Sequence, residues 1–239
     1  MFGSEYFYYY GFDYYYLILI VPALLLGLWA SYQVNHNFKK YSTVLSSRGY
    51  TGADAAGLIL RQNDVGDVGI RQVRGSLTDR YDPKNKELCL SESVYASTSV
   101  AAIGVAAHEA GHAIQHAVGY FPIKVREVIV PVTQISSFLY MPLILLGLLL
   151  SFEPLISAGI VLFAMIALFQ FVTLPVEFNA SRRALKILED NDILYGEELA
   201  GARKVLRAAA LTYVAAMMTS IAQLLRFILL FTGSSRRRR

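Results

Sequence analysis

The fold is decided by IVPVTQISSFLYMPLILLGLLLSFEPLISAGIVLFAMIALFQFVTLPV, residues 129–176. The stretch contains no Lys or Arg, and its one acidic residue is Glu153. It consists of two apolar runs of about 22 residues, each long enough to cross a hydrocarbon core of about 30 Å as a helix. SFEP, residues 151–154, separates the runs and has a composition suited to a tight turn outside a bilayer. The stretch therefore predicts a transmembrane helical hairpin.

Two further segments have the length and composition of membrane spans. Residues 16–34, YLILIVPALLLGLWASYQV, are uncharged, and they lack the basic start and cleavage site of a signal peptide, so we expect a retained anchor. Residues 208–231 are long enough to span but contain Arg226, which must snorkel, face protein, or mark an interfacial helix. Charged residues make up only 17% of the chain, against about a quarter in soluble domains. We predict three to four transmembrane helices.

The distribution of basic residues predicts the orientation. Eleven Lys and Arg lie in residues 35–128 and six in residues 177–207, whereas the N-terminal tail and the SFEP turn contain none. By the positive-inside rule, both basic regions are cytoplasmic. A fully spanning last segment would place RRRR, residues 236–239, outside, so the sequence leaves its crossing open. The cluster YFYYYGFDYYY, residues 6–16, is typical of a membrane interface, although a low-complexity tail explains it equally well.

Charge and cysteine content exclude other classes of protein. The net charge of +4 is spread over juxtamembrane regions, where attraction to anionic lipid explains it without a nucleic-acid partner. Cys89 is the single cysteine, which excludes a disulfide framework and a thiolate metal site within the chain.

The region between the anchor and the hairpin is predicted to be a small α+β unit. Residues 50–63 have the pattern of an amphipathic helix with Thr51 or Asp54 as cap, and residues 68–73 that of a strand. Residues 77–91 have strand-like ends around the turn-forming DPKNK. The KELCLS segment within them is predicted either to be an edge strand that binds substrate or simply to cover the neighbouring helix.

The predicted organisation is therefore a mostly α membrane protein with a small cytoplasmic α+β, zincin-like unit. We divide the chain into an N-terminal tail and anchor, 1–34, a cytoplasmic α+β region, 35–128, the transmembrane hairpin, 129–176, a cytoplasmic helix, 177–207, and a C-terminal transmembrane or interfacial helix with a basic tail, 208–239.

The α+β region contains the pattern H-E-x-x-H at His108, Glu109 and His112, within a segment whose composition favours a helix. Positions i and i+4 lie on one helix face about 6 Å apart along the axis, so two imidazoles can bind one zinc ion. Glu109 would then lie where a carboxylate can take a proton from a zinc-bound water. His116 continues the i+4 series, but a rise of about 12 Å from His108 excludes both from one tetrahedral ion on a straight helix.

Glu177 is the candidate third ligand. It follows the hairpin directly, in LPVEFNASRRALKIL, residues 174–188, and both ends of a hairpin return to the same membrane face. Two His and one Glu with water in the fourth position form the catalytic zinc set of thermolysin. The alternative is an interfacial acid paired with Arg182 or Arg183.

Three long segments carry a resemblance to a known family. They are LTDRYDPKNKELCLSESVYASTSVAAIGVAAHEAGHAIQH, residues 77–116, LPVEFNASRRAL, residues 174–185, and AAALTYVAA, residues 208–216. In these the chain resembles the YugP-like membrane neutral zinc metallopeptidases, which are largely bacterial. The resemblance implies zinc bound by His108, His112 and Glu177, with Glu109 as catalytic base, in a general plan similar to that of the HtpX-type proteases. Those proteases have an acid four residues after the ligand Glu, whereas this chain has Ser181, so we expect Asn179 or another residue to orient a histidine.

The predicted function is a gluzincin-like zinc endopeptidase, multi-pass in the bacterial cell (inner) membrane, with its active site facing the cytoplasm. Its partners would be the lipid bilayer and protein or peptide substrates near the membrane; the sequence leaves open a membrane-protein partner or a homo-oligomer. One alternative is a site-2-type intramembrane protease, in which the H-E-x-x-H lies inside a span. Another is a membrane scaffold with a zinc ion, against which the intact Glu109 argues, and a transporter is the least supported option.

Overall fold

The structure, a computed structural model, describes residues 13–236 and is mostly helical. A five-residue π-helix, Tyr16–Ile20, leads into the first α-helix. The helices in chain order are α1 Val21–Tyr41, α2 Gly52–Gln62, α3 Glu92–Tyr95, α4 Val100–Ala117, α5 Phe121–Leu149, α6 Glu153–Asp190 and α7 Gly196–Arg236, and the strands are β1 Gly69–Val73, β2 Arg80–Asp82 and β3 Glu87–Ser91.

Within residues 13–236, four helical segments are long and apolar enough to cross a membrane, judged by length and composition. They are Tyr16–Tyr41, α5, α6 and Gly196–Phe231. The first is the predicted anchor, α5 and α6 contain the predicted hairpin, and the last contains the segment with Arg226. The number of candidate spans therefore agrees with the upper end of the predicted three to four transmembrane helices. Most of the Tyr/Phe cluster at 6–16 and most of the RRRR tail lie outside the described residues.

Helices α5 and α6 form the predicted hairpin, with the connection at residues 150–152. Two glycines allow the helices to approach closely. A Cβ on Gly159 would lie 2.8 Å from the carbonyl oxygen of Tyr140, and one on Gly147 would lie 2.8 Å from the amide nitrogen of Ile156. Helix α6 then continues without interruption through Pro175 to Asp190.

The chain forms two compact units. The first consists of residues 1–29, 125–174 and 212–239, of which 13–29, 125–174 and 212–236 are described, and it contains the central parts of the candidate spans. The second consists of residues 30–124 and 175–211. It contains α2 to α4, the sheet, the C-terminal end of α6 and the start of α7.

The core of the second unit is built around α4, on which all but six of the eighteen residues are buried. Alanine and glycine predominate on this helix, and α2 packs along it. Helix α2 begins with a capping box, in which Thr51 and Asp54 bond each other's backbone amides. Of the two caps that the sequence offered as alternatives, Thr51 is the N-cap and Asp54 is the third helical residue.

The three strands form one sheet in the order β1-β3-β2. Strand β1 pairs with β3 in parallel, and β2 pairs with β3 in antiparallel orientation. The KELCLS segment is therefore the central strand, and the prediction that it is an edge strand is wrong. Its last four residues are buried because it has neighbours on both sides. Strand β2 is an edge strand, and its Tyr81 contacts α4 through a hydrogen bond to Glu109.

Candidate metal centre

Helix α4 positions the two histidines of the H-E-x-x-H pattern. The helix begins after Ser99, whose hydroxyl accepts a hydrogen bond from the amide of Ala102. His108 and His112 lie one turn apart, and their side chains are only 13% and 12% exposed. Their ring centroids are 4.7 Å apart at an interplanar angle of 84°, so the two Nε2 atoms point at the same place.

Helix α6 brings Glu177 to the histidines because the backbones of α4 and α6 touch. A Cβ on Gly111 would lie 2.8 Å from the carbonyl oxygen of Ala180, so this position accommodates glycine alone without a shift. The close approach places the Glu177 carboxylate, of which 3% is exposed, against both imidazoles. The expected meeting of Glu177 with His108 and His112 is thus present within one compact unit.

The spacing of the three candidate ligand atoms fits a tetrahedral metal ion. Nε2 of His108 lies 3.2 Å from Nε2 of His112 and 3.2 Å from Oε2 of Glu177, and the His112–Glu177 distance is 3.5 Å. With metal–ligand bonds of about 2.0–2.1 Å, the edges of a tetrahedral zinc site are about 3.3–3.4 Å long. The donor set of two imidazoles and a carboxylate is also one that zinc prefers. His108, His112 and Glu177 could therefore hold a metal ion.

The other ring nitrogen of each histidine has a hydrogen-bond partner. Nδ1 of His108 lies 3.1 Å from the hydroxyl of Ser181, and Nδ1 of His112 lies 3.0 Å from Oε1 of Gln115. We expected Asn179 or another residue to orient a histidine. The residues in contact with the imidazoles are Ser181 and Gln115, and Asn179 accepts a hydrogen bond from Gln115. Both contacts hold an imidazole so that Nε2 faces the other ligand atoms.

The electrostatics of the cluster favour a cation. Burial lowers the pKa of His112, but hydrogen bonding to Glu177 and the negative charges of Glu109 and Glu177 outweigh it, so the pKa of His112 lies above its ordinary value. The surroundings of His112 therefore favour a positive charge at this place. A divalent cation would supply such a charge.

Glu109 lies beside this cluster on the side of the sheet. Its Oε2 accepts a hydrogen bond of 3.0 Å from the backbone amide of Tyr81 in β2. The edge of the sheet therefore fixes one carboxylate oxygen and leaves Oε1 as the atom that can accept a proton. Sequence reasoning did not identify Tyr81, because only the fold brings an edge strand to α4.

His116 does not join the cluster, in agreement with the spacing argument. Its ring packs against the ring of Tyr81, with centroids 5.2 Å apart.

The alternative for Glu177 was an ion pair with Arg182 or Arg183. Arg182 is exposed, and Nε of Arg183 donates a hydrogen bond to Asn179 at 2.8 Å. Gln115 is the residue that sequence reasoning missed although a signal existed, because it lies three positions after His112 on the same helix face.

Comparisons with known proteins place these residues in a family context. The model of a family described as "Putative neutral zinc metallopeptidase" matches residues 16–232. The "Putative membrane protease YugP" of Bacillus subtilis (strain 168) is 47% identical over 216 residues, which cover 90% of this chain and 96% of the relative. No solved structure matches the chain significantly. Since the match extends over nearly the whole chain and includes every residue of the cluster, the chain belongs to this family of neutral zinc metallopeptidases.

Proposed function

We propose that the chain is a membrane-embedded zinc endopeptidase of the gluzincin type, with His108, His112 and Glu177 as zinc ligands and Glu109 as catalytic base. The observation that supports this most directly is the set of ligand distances of 3.2, 3.2 and 3.5 Å, close to the edges of a tetrahedral zinc site. Membership of the family agrees with it.

Zinc bound by His108, His112 and Glu177 would supply Lewis-acid polarisation of a carbonyl and a water of lowered pKa. Glu109 then takes the proton of the attacking water on Oε1 while the amide of Tyr81 holds Oε2, and afterwards it passes that proton to the leaving amine. Ser181 and Gln115 keep the imidazoles from rotating during these steps.

We further propose that all four candidate spans cross the membrane and that the second compact unit faces the cytoplasm. The basic residues of 35–128 and 177–207 support that orientation. A full crossing by α7 is supported by Arg226, which pairs with Asp13 and is only 6% exposed, so its charge is compensated by protein. The substrates would be membrane proteins or their juxtamembrane segments.

The alternative of a site-2-type intramembrane protease is less well supported. Helix α4 is not among the four candidate spans found in residues 13–236, and it is surrounded by the sheet and α2. The alternative of a scaffold with a purely structural zinc does not explain Glu109, because a structural site needs no carboxylate base beside its ligands.

Metal content and peptidase activity of the detergent-purified chain test the proposal. We expect one zinc per chain in wild type, marked zinc loss in Glu177→Gln, and full zinc with no peptide hydrolysis in Glu109→Gln. Glu189→Gln, on an exposed position of the same helix as Glu177, is the matched control and keeps both properties. Full zinc in Glu177→Gln would remove the third ligand, and hydrolysis by Glu109→Gln would remove the proposed base.

A further inference from the structure

Gln115 is a fully buried polar residue that joins the two helices of the metal centre. Its side chain has 0% exposure, although glutamine is mostly found at protein surfaces. Its Oε1 lies 3.0 Å from Nδ1 of His112 on α4. Its Nε2 lies 2.8 Å from the carbonyl oxygen of Val176 and 3.0 Å from Oδ1 of Asn179. On α6, Val176 directly precedes Glu177, and Asn179 follows it by two positions.

The partners of Gln115 determine which way its amide points. The carbonyl of Val176 can only accept, so the atom facing it must be the NH₂ group. Nε of Arg183 can only donate, so the atom of Asn179 that it contacts at 2.8 Å must be oxygen. That same oxygen receives the second hydrogen of the Gln115 amide. Both amide hydrogens are thereby used, and Oε1 is left as an acceptor facing His112.

The direction of this network fixes the state of His112. Since Oε1 of Gln115 can only accept, Nδ1 of His112 must carry the hydrogen. In the neutral imidazole the lone pair then lies on Nε2, which is the atom that faces His108 and Glu177.

We propose that Gln115 is a positioning residue for the metal centre: it holds His112 with its proton on Nδ1 and its Nε2 lone pair directed at the metal. The inference rests on the proposed zinc site and goes beyond it, because Gln115 touches neither metal nor substrate. Arg183 and Asn179 set the orientation of Gln115 from α6, so the helix that supplies the carboxylate ligand also sets the tautomer of an imidazole ligand on α4.

Two substitutions separate this role from simple filling of the core. Both substitutions remove the amide hydrogens that Gln115 donates to Val176 and Asn179. Gln115→Met keeps the approximate side-chain volume and introduces no charge, but it also removes the acceptor for Nδ1–H. Gln115→Glu keeps an acceptor oxygen for Nδ1–H but introduces a buried charge. If Gln115 only fills the core, Gln115→Met is tolerated and Gln115→Glu is damaging, because Glu buries a charge. If Gln115 positions His112, Gln115→Glu binds metal more tightly than Gln115→Met.

The experiment is a titration of the metal-stripped, detergent-purified chain with Co²⁺, followed by its d–d absorption, and then with Zn²⁺ in competition. We expect Gln115→Met to weaken metal binding by about 10- to 100-fold and to change the Co²⁺ spectrum, as for other partners of metal-bound histidines. Gln115→Glu is expected to recover most of the affinity. Gln62→Met, at an exposed position at the end of α2, is the control and behaves as wild type.

Three outcomes would overturn the proposal in distinguishable ways. Wild-type affinity and spectrum in Gln115→Met would show that the contact does not position His112. Weaker binding by Gln115→Glu than by Gln115→Met would assign Gln115 a filling role. If wild type itself binds neither Co²⁺ nor Zn²⁺, the proposed metal centre fails, and the positioning role fails with it.

Discussion

The hydroxyl of Ser181 lies 3.1 Å from Nδ1 of His108 and is one helical turn beyond Glu177 on α6. One helix thus carries a candidate metal ligand and the partner that orients another ligand. HtpX-type proteases have an acid at this position, and since this chain has Ser181 there, we expected Asn179 or another residue to orient a histidine. The serine takes that role itself, because α4 and α6 are in backbone contact at Gly111 and a short side chain reaches the imidazole.

Replacement of Ser181 by alanine is predicted to weaken zinc binding. The lost contact leaves the His108 ring free to rotate, and the loss of such a partner typically lowers metal affinity by about 10-fold or more. Ser181→Asp, which restores an acceptor for Nδ1–H, is predicted to bind zinc at least as tightly as wild type. A competition titration with a zinc chelator measures both, with Ser76→Ala at an exposed position as control. Equal affinity in Ser181→Ala and wild type would contradict the orienting role.

Gly111→Ala is predicted to damage both the fold and the metal site. The added methyl would meet the carbonyl oxygen of Ala180 at 2.8 Å, and backbone cannot move aside as a flexible side chain can. Overpacking of this kind costs about 1–3 kcal/mol, and it moves Glu177 away from the histidines. Thermal unfolding and zinc content measure the two effects. Gly57→Ala is the control and keeps wild-type stability and zinc, because its methyl would meet the flexible end of Arg61 at 3.2 Å and the Ile70 side chain at an ordinary contact distance of 3.5 Å.

The elements of the fold follow from the sequence where local signals are strong. Uniform apolar runs marked the spans, and SFEP marked the turn between α5 and α6. The amphipathic pattern of residues 50–63, with Thr51 or Asp54 as cap, predicted α2, and the alternation of residues 68–73 predicted β1. The order of strands had no such signal. Residues 87–91 are apolar enough for a central or an edge strand, and only the parallel pairing of β1 with β3 makes them central.

The candidate site was predictable where residues are spaced by helix geometry. His108, Glu109 and His112 follow from the i, i+4 rule, and the exclusion of His116 follows from the helix rise. The prediction of Glu177 as a ligand required a further argument, namely that both ends of a transmembrane hairpin lie at the same membrane face. The roles of Ser181, Gln115 and Tyr81 depend on distances across elements that no local pattern encodes, such as the contact permitted by Gly111.

The capping box of α2 is predicted to make stability depend on pH. Hydrogen bonds from the hydroxyl and the backbone amide of Thr51 hold the pKa of Asp54 below its ordinary value. Because the folded pKa is the lower one, the stabilisation is complete above the unfolded-state pKa and is lost as the pH falls through the folded-state pKa. Asp54→Asn is therefore predicted to be less stable than wild type at pH 7 and equally stable in strong acid. Thermal unfolding of the metal-free chain across that range measures the difference; a gap independent of pH would contradict it.

Arg226 and Asp13 form a nearly buried ion pair within the first compact unit. Their side chains are 7% and 8% exposed, and Nη2 and Nε of Arg226 donate to the same carboxylate oxygen at 2.7 and 3.0 Å. The other oxygen of Asp13 accepts from the amide of Tyr16 at 2.9 Å, and the Tyr16 ring lies 5.3 Å from the guanidinium carbon. The pair thus joins the beginning of the first candidate span to the last turns of α7, so these two ends lie together.

Arg226→Met is predicted to destabilise the chain by about 3–5 kcal/mol, because it leaves the carboxylate of Asp13 buried without a counter-charge. Asp13→Asn keeps the acceptor for Tyr16 but removes the negative charge opposite the guanidinium, and a similar loss of stability is expected. The double variant removes both charges and is predicted to be more stable than either single variant. Unfolding in detergent completes this double-mutant cycle, with Arg207→Met at an exposed position as control. Additive losses in the double variant would mean that the two charges act independently, and they would remove the support that this pair gives to a full crossing by α7.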